Sequence, residues 1–131
     1  AHLGGGAHRD GERLVGSGRT TLEGAQISIP RDYLAAKHWP GGAPNVTAVR
    51  SGALALRLAR AATGEVDATI SLRPVWEWDS SAGMLLCSEA GLIATKEDGS
   101  PIGFNAEYPR HQGLMVAPAP LHGALLSARA P

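Results

Sequence analysis

Five short strand-like segments alternate with helix-forming ones along this chain, and that order predicts an α/β domain built on a mixed sheet of about five strands with covering helices. Three observations carry the prediction. The runs at 25–29, 45–49, 67–72, 92–95 and 113–117 are apolar and partly β-branched, and have strand length. The stretches at 53–62 and 80–90 are rich in Ala and Leu and end near Gly64 and Gly91. Finally, 131 residues with 44% apolar content suffice for one core, so these elements belong to one domain covering 1–131.

Taken in order, the chain opens on Gly4-Gly5-Gly6 and then Asp10-Gly11. Three glycines could cradle a phosphate. A P-loop, however, needs Gly-Lys-Ser/Thr after them and a dinucleotide fold needs a strand before them, and neither is present. The segment instead reads as a β-hairpin turned at Asp10-Gly11. Strand 25–29 ends at Pro30, and 31–39 reads as a short helix closed by Pro40-Gly41-Gly42. Strand 45–49 leads through Ser51-Gly52 into helix 53–62. Strand 67–72 precedes the segment Trp76-Glu77-Trp78-Asp79-Ser80-Ser81-Ala82-Gly83, which opens a helix that Asp79 can cap, with the Ser80 and Ser81 amides free to meet its oxygens or an anion. Strand 92–95 turns at Asp98-Gly99-Ser100-Pro101. After strand 113–117, Pro120 sits in the first turn of a closing helix running to Ala128.

Composition removes several function classes. Twelve Lys plus Arg balance twelve Asp plus Glu, so the basic excess of a nucleic-acid polymer binder is missing. No apolar run is long enough to span a bilayer and no leader pattern is visible, so no membrane partner and a cytoplasmic setting are the expectation. Five scattered histidines and the single Cys87 lack zinc-ligand spacing, and no Gly-x-Ser-x-Gly elbow occurs. Cys87, within the apolar stripe of its helix, reads as an inert buried thiol. Asn45-Val46-Thr47 fits a glycosylation sequon but falls on a strand.

The Trp78-Asp79 pair followed by small residues resembles the second signature of the magnesium-dependent, lithium-sensitive phosphatase superfamily. That superfamily includes inositol monophosphatases, fructose bisphosphatases and 3'(2'),5'-bisphosphate nucleotidases. The order Glu77-Trp78-Asp79 is most similar to the nucleotidase branch, as is the turn Asp98-Gly99-Ser100-Pro101-Ile102-Gly103-Phe104-Asn105, which serves as a family marker. The resemblance implies the C-terminal α/β sandwich half of a sugar-phosphatase-like fold. The glycine-rich hairpin near the start fits a segment found mid-protein in that family.

Phosphate esters explain why a carboxylate would stand at such a helix. A phosphate monoester repels its nucleophile, and hard cations that neutralise the phosphoryl oxygens and activate water relieve that repulsion. Magnesium (Mg2+) takes carboxylate and water oxygens, with only one or two protein carboxylates. The resemblance implies that Asp79 ligates magnesium and touches the substrate hydroxyl, and that the Ser51-Gly52 backbone faces substrate. It also places Arg57 where nucleotidases carry Lys, to pair with a second phosphate, and makes Arg73 a further phosphate contact. An Arg keeps the charge of that Lys but not its geometry. The alternative for Arg57 is a solvated side chain on a helix that also carries Arg60. Inositol monophosphatases place a substrate-binding Glu where this chain has Leu72, which argues against an inositol phosphate.

The expected reaction is hydrolysis of a small-molecule phosphate ester, namely the 3' phosphate of a 3'(2'),5'-bisphosphonucleoside. The first family signature, Asp-Pro-x-Asp-Gly-Thr, and its upstream Glu are absent, so the chain alone is expected to be inactive and to need the missing N-terminal half as partner. Two alternatives stay open: another inositol or sugar phosphate as substrate, or a non-catalytic interaction module that docks its missing half or forms a homodimer.

Overall fold

The computed structural model describes residues 1–50 and 52–131. Asp10 and Gly11 take left-handed conformations, φ 53° and 84°, and close the hairpin of β1 (His8–Arg9) and β2 (Glu12–Arg13) as the Asp-Gly pair predicts. β3 (Gln26–Ser28) is followed by β4 (Thr47–Val49), α1 (Leu54–Ala62), β5 (Ala68–Ser71), β6 (Val75–Trp76) and α2 (Glu77–Glu89). β7 (Ile93–Thr95), β8 (Arg110–His111), β9 (Leu114–Ala117) and α3 (Ala119–Arg129) complete the order. All five expected strands join one mixed sheet, in the order β4-β3-β5-β9-β7. β3 runs parallel to β4 and β5, whereas β9 is antiparallel to β5 and β7.

The sheet is buried on both faces, and β9 shows why. Leu114 and Val116 point to a cluster holding Leu58, Ala61 and Ala62 of α1 and Met84 and Cys87 of α2. Met115 and Ala117 point to the opposite cluster, with Leu121 and Leu125 of α3 and Trp39. A period of two that is apolar on both sides yields a continuous apolar run rather than an alternating one. Burial pushes the Cys87 thiol up to about 12, consistent with an inert packing residue.

Two expectations need correction. Residues 31–39 form two 3-10 turns, Arg31–Leu34 and Ala36–His38, instead of one helix. Ala35 between them is extended (ψ 140°), and the break lets Trp39 enter the core at 2% exposure while its indole N–H donates to the Tyr33 carbonyl at 2.7 Å. Secondly, α2 begins at Glu77 with Trp76 as N-cap, so Asp79 is its third residue and makes no capping bond. By the i→i−4 pattern the amides of Ser80 and Ser81 are then spent inside the helix, and those of Trp78 and Asp79 lie in its unpaired first turn.

The glycine-rich opening cradles a carboxylate of the protein itself. Gly4 and Gly6 donate their N–H groups to the two Glu89 oxygens, each at 2.8 Å, and tie the N-terminal turn to the end of α2. These two bonds hold the Glu89 carboxyl below the ordinary glutamate range. A depressed folded-state value gives stability that is present above the unfolded value of ~4.3 and is lost as pH falls through the folded one. Exchange protection of the Gly4 and Gly6 amides is therefore expected to persist at neutral pH and vanish on acidification. In Glu89→Gln it should be weak at every pH; equal protection in that variant would refute the cradle.

Candidate active site

β3, β4 and β5 are parallel, so their carboxyl ends share one edge of the sheet. Chain order β3, β4, β5 against spatial order β4-β3-β5 puts a reversal of winding between β3 and β5, the place where open α/β sheets bind ligands. α1 and α2 both start from this edge, α1 after β4 and α2 only five residues (72–76) after β5. A cavity of about 660 Å³ lies at the edge, lined by Ser28, Ile29, Arg31, Asp32, Arg50 and Arg57 among others. That is within the usual span of small-molecule sites, ~300–1,000 Å³. Three guanidinium groups against one carboxylate favour an anionic occupant.

Arg57 is neither a freely solvated side chain nor a fully available one. Its Nε donates to Ser28 Oγ at 3.1 Å and its Nη2 to the Ser28 carbonyl at 2.8 Å and to the Ile70 carbonyl. Thr69 Oγ1 in turn donates to the Arg57 carbonyl at 2.9 Å. Ser28 and Thr69 are the buried polar residues on the α1 face of β3 and β5, and Arg57 satisfies both strands. Bonds to a charged donor contribute roughly 1.5–3 kcal/mol each, so the side chain is anchored to the sheet. Burial lowers the guanidinium pKa from its ordinary value. Nη1 has no partner among the described residues, and the side chain still forms part of the cavity wall.

Arg73 is exposed on the β5–β6 connection, and its Nε donates to the Tyr33 hydroxyl at 2.8 Å. Arg57 and Arg73 thus both reach the 28–34 segment, one at each end. Gly52 is exposed ahead of α1, and an added Cβ there meets nothing within 4 Å, so the backbone is open to a neighbour. Ser51 lies outside the described residues.

Asp79 is exposed in the first turn of α2 and makes no hydrogen bond or ion pair among the described residues. Nothing links it directly to Arg57 or Arg73. Two unspent carboxylate oxygens near a helix N-terminus fit a hard cation by donor chemistry. Among the described residues no group of three or more His, Cys, Asp or Glu could hold a metal ion.

Several side chains of this edge escape a reading of spacing alone. Ser28 was visible as a polar residue in a strand, and Arg31 and Asp32 as charges just past a strand end. Glu77 entered only as part of the Glu77-Trp78-Asp79 order, and its contacts gave no signal. It is 9% exposed, and its oxygens accept from the Asn105 and Ala106 amides at 2.6 and 3.2 Å. Asn105, at φ 65°, ties its loop to α2 through its backbone N–H. The Asp98 turn forms as expected, with Asp98 Oδ1 accepting from the Ser100 amide and hydroxyl at 2.9 and 2.6 Å, which holds the Asp98 carboxyl below its ordinary range.

This architecture recurs in solved proteins. The structure of extragenic suppressor protein suhB from Bartonella henselae matches with a TM-score of 0.77 at 27% identity, over 98% of this chain and 51% of that one. Fold and edge together define an α/β domain of the sugar-phosphatase type. The inositol monophosphatase family profile matches residues 3–130, and the chain belongs to that family. A 65-residue stretch is 37% identical to a 3'-phosphoadenosine 5'-phosphate phosphatase of Mycobacterium bovis, covering 50% of this chain and 24% of that protein. Another, of 111 residues, is 32% identical to an inositol-1-monophosphatase of Bacillus subtilis, covering 79% of this chain and 42% of that protein. The matched stretches span less than half of those two relatives. No helix among the described residues is long and apolar enough to cross a membrane.

Proposed function

We propose that this chain is the C-terminal half of a magnesium-dependent phosphatase that removes the 3' phosphate of a 3'(2'),5'-bisphosphonucleoside. The observation that carries the reading is Asp79: an exposed carboxylate with no partner among the described residues, in the first turn of a helix that leaves the same sheet edge as the arginine-lined cavity. When bound, magnesium supplies charge neutralisation at the phosphoryl oxygens and an activated water. Asp79 donates one oxygen ligand. Arg57, fixed by Ser28 and Ile70, and Arg73, steadied by Tyr33, hold positive charge at the edge for the second phosphate. Rigid cations of this kind bind the dianion without having to reorganise.

A monophosphate substrate would leave that second cationic group without work. Leu72, where a substrate-binding carboxylate would stand for inositol, is partly buried against the α3-side core and offers no hydrogen-bonding group. The chain lacks the carboxylates of the principal metal site, and we assign these to the N-terminal half. The test compares two preparations. The isolated chain should release no phosphate with magnesium, whereas the full-length protein should hydrolyse adenosine 3',5'-bisphosphate with a kcat/KM at least tenfold above that for inositol 1-phosphate or fructose 1,6-bisphosphate. Turnover by the chain alone, or preference for inositol phosphate, would overturn it.

A further inference from the structure

The first turn of α2 is held by the 105–113 segment. Glu77 N donates to the Pro109 carbonyl at 3.0 Å while the Glu77 carboxylate accepts from the Asn105 and Ala106 amides, so one residue grips both ends of the 105–109 loop. One helical turn on, Ser80 is fully buried and its hydroxyl meets His111 Nε2 at 3.2 Å. His111 Nδ1 lies 2.9 Å from the Gly113 carbonyl, which can only accept, so Nδ1 donates there and the ring is held between that carbonyl and the Ser80 hydroxyl, which also faces the Trp76 and Glu77 carbonyls at 3.3 and 3.4 Å. Trp76 is packed by Tyr108 at 5.5 Å and by the Arg110 guanidinium at 5.1 Å. Trp76, Glu77 and Ser80 thus all face the 105–113 segment, while Trp78 and Asp79 are left on the exposed side.

We propose that Glu77 is a positioning residue for the metal site: by clamping the 105–109 loop to the start of α2, it fixes the rotation and position at which Asp79 presents its oxygens to a divalent cation. The inference rests on the reading of Asp79 as a ligand. The bonding is specific to a carboxylate, because both oxygens must accept. A glutamine would turn one NH2 toward a backbone N–H and leave that amide unpaired. The clamp also spans 28 residues of sequence at the Asn105 bond, so nothing local can replace it.

The test uses the full-length protein and Mn2+ as a paramagnetic probe, with free Mn2+ read by electron paramagnetic resonance, alongside thermal melting without metal. Asp79→Asn checks the underlying reading and should weaken Mn2+ binding. Glu77→Gln should weaken it about tenfold, the usual effect of losing a group that orients a metal ligand. Glu77→Asp keeps the charge but shortens the reach, and serves if the glutamine variant does not fold. Weakened Mn2+ binding in a folded Glu77 variant supports the inference. A lowered melting temperature with unchanged Mn2+ affinity makes Glu77 merely structural and overturns it. If Asp79→Asn binds Mn2+ as the parent does, the ligand reading itself falls.

Discussion

Exchanging Asp79 for Asn in the full-length protein is expected to lower magnesium-dependent phosphate release by about 10²–10³-fold, the scale on which removing one preorganised charge-stabilising group acts. The substitution keeps the shape and removes the negative charge. Because the side chain is exposed and unbonded among the described residues, nothing in the fold should register the change. Surface substitutions of that kind fall within about ±0.5 kcal/mol. A large loss of rate with an unchanged melting temperature is therefore the diagnostic pair. Full activity in Asp79→Asn would refute the proposed role of Asp79 and of the α2 start.

How much of this site can be read from the chain depends on the range of the interactions. Asp10-Gly11, Gly64 and Gly91 end their elements within a few residues, and each turn or helix end falls where the local chemistry places it. The five sheet strands were legible for the same reason: burial on both faces imposes apolar runs. Legibility fails where distant residues decide. The start of α2 lies two residues before Asp79 because Trp76 and Glu77 are held by Tyr108, Pro109 and Arg110 from across the sequence. β6 and β8, two residues each, are too short for any periodic pattern, yet their pairing at Val75–His111 sets where α2 begins. Arg57 was singled out by the resemblance, with a solvated side chain on its helix as the alternative. Its bonds to Ser28 and Ile70 exist only once β3 and β5 lie side by side.

The spacing of the two helices that leave the binding edge should be the most fragile part of the fold. Gly83 of α2 meets Leu58 of α1 so closely that an added Cβ would stand 2.5 Å from Leu58 Cδ1 and 2.8 Å from Leu58 Cβ. Leu58 is fully buried, and its Cβ cannot swing aside as a side-chain tip could. Gly83→Ala sets this clash against the gain of up to ~1 kcal/mol from replacing a helical glycine, so a modest net loss is expected. Gly83→Val adds two methyls and β-branching, for a loss of about 3 kcal/mol and a fall in melting temperature on the order of 10 °C. The effect should not stop at stability. Arg57 precedes Leu58, so pushing α1 away from α2 draws the guanidinium from Ser28 and Ile70 and moves it relative to Asp79. In the full-length protein, folded Gly83→Ala is then expected to raise KM for a nucleoside bisphosphate by a few-fold more than for a monophosphate, because in the proposed function only the former needs the Arg57 cation. A Gly83→Val protein that melts within a degree or two of the parent would mean that this close contact does not set the helix spacing. An equal rise in KM for both esters would detach Arg57 from the second phosphate.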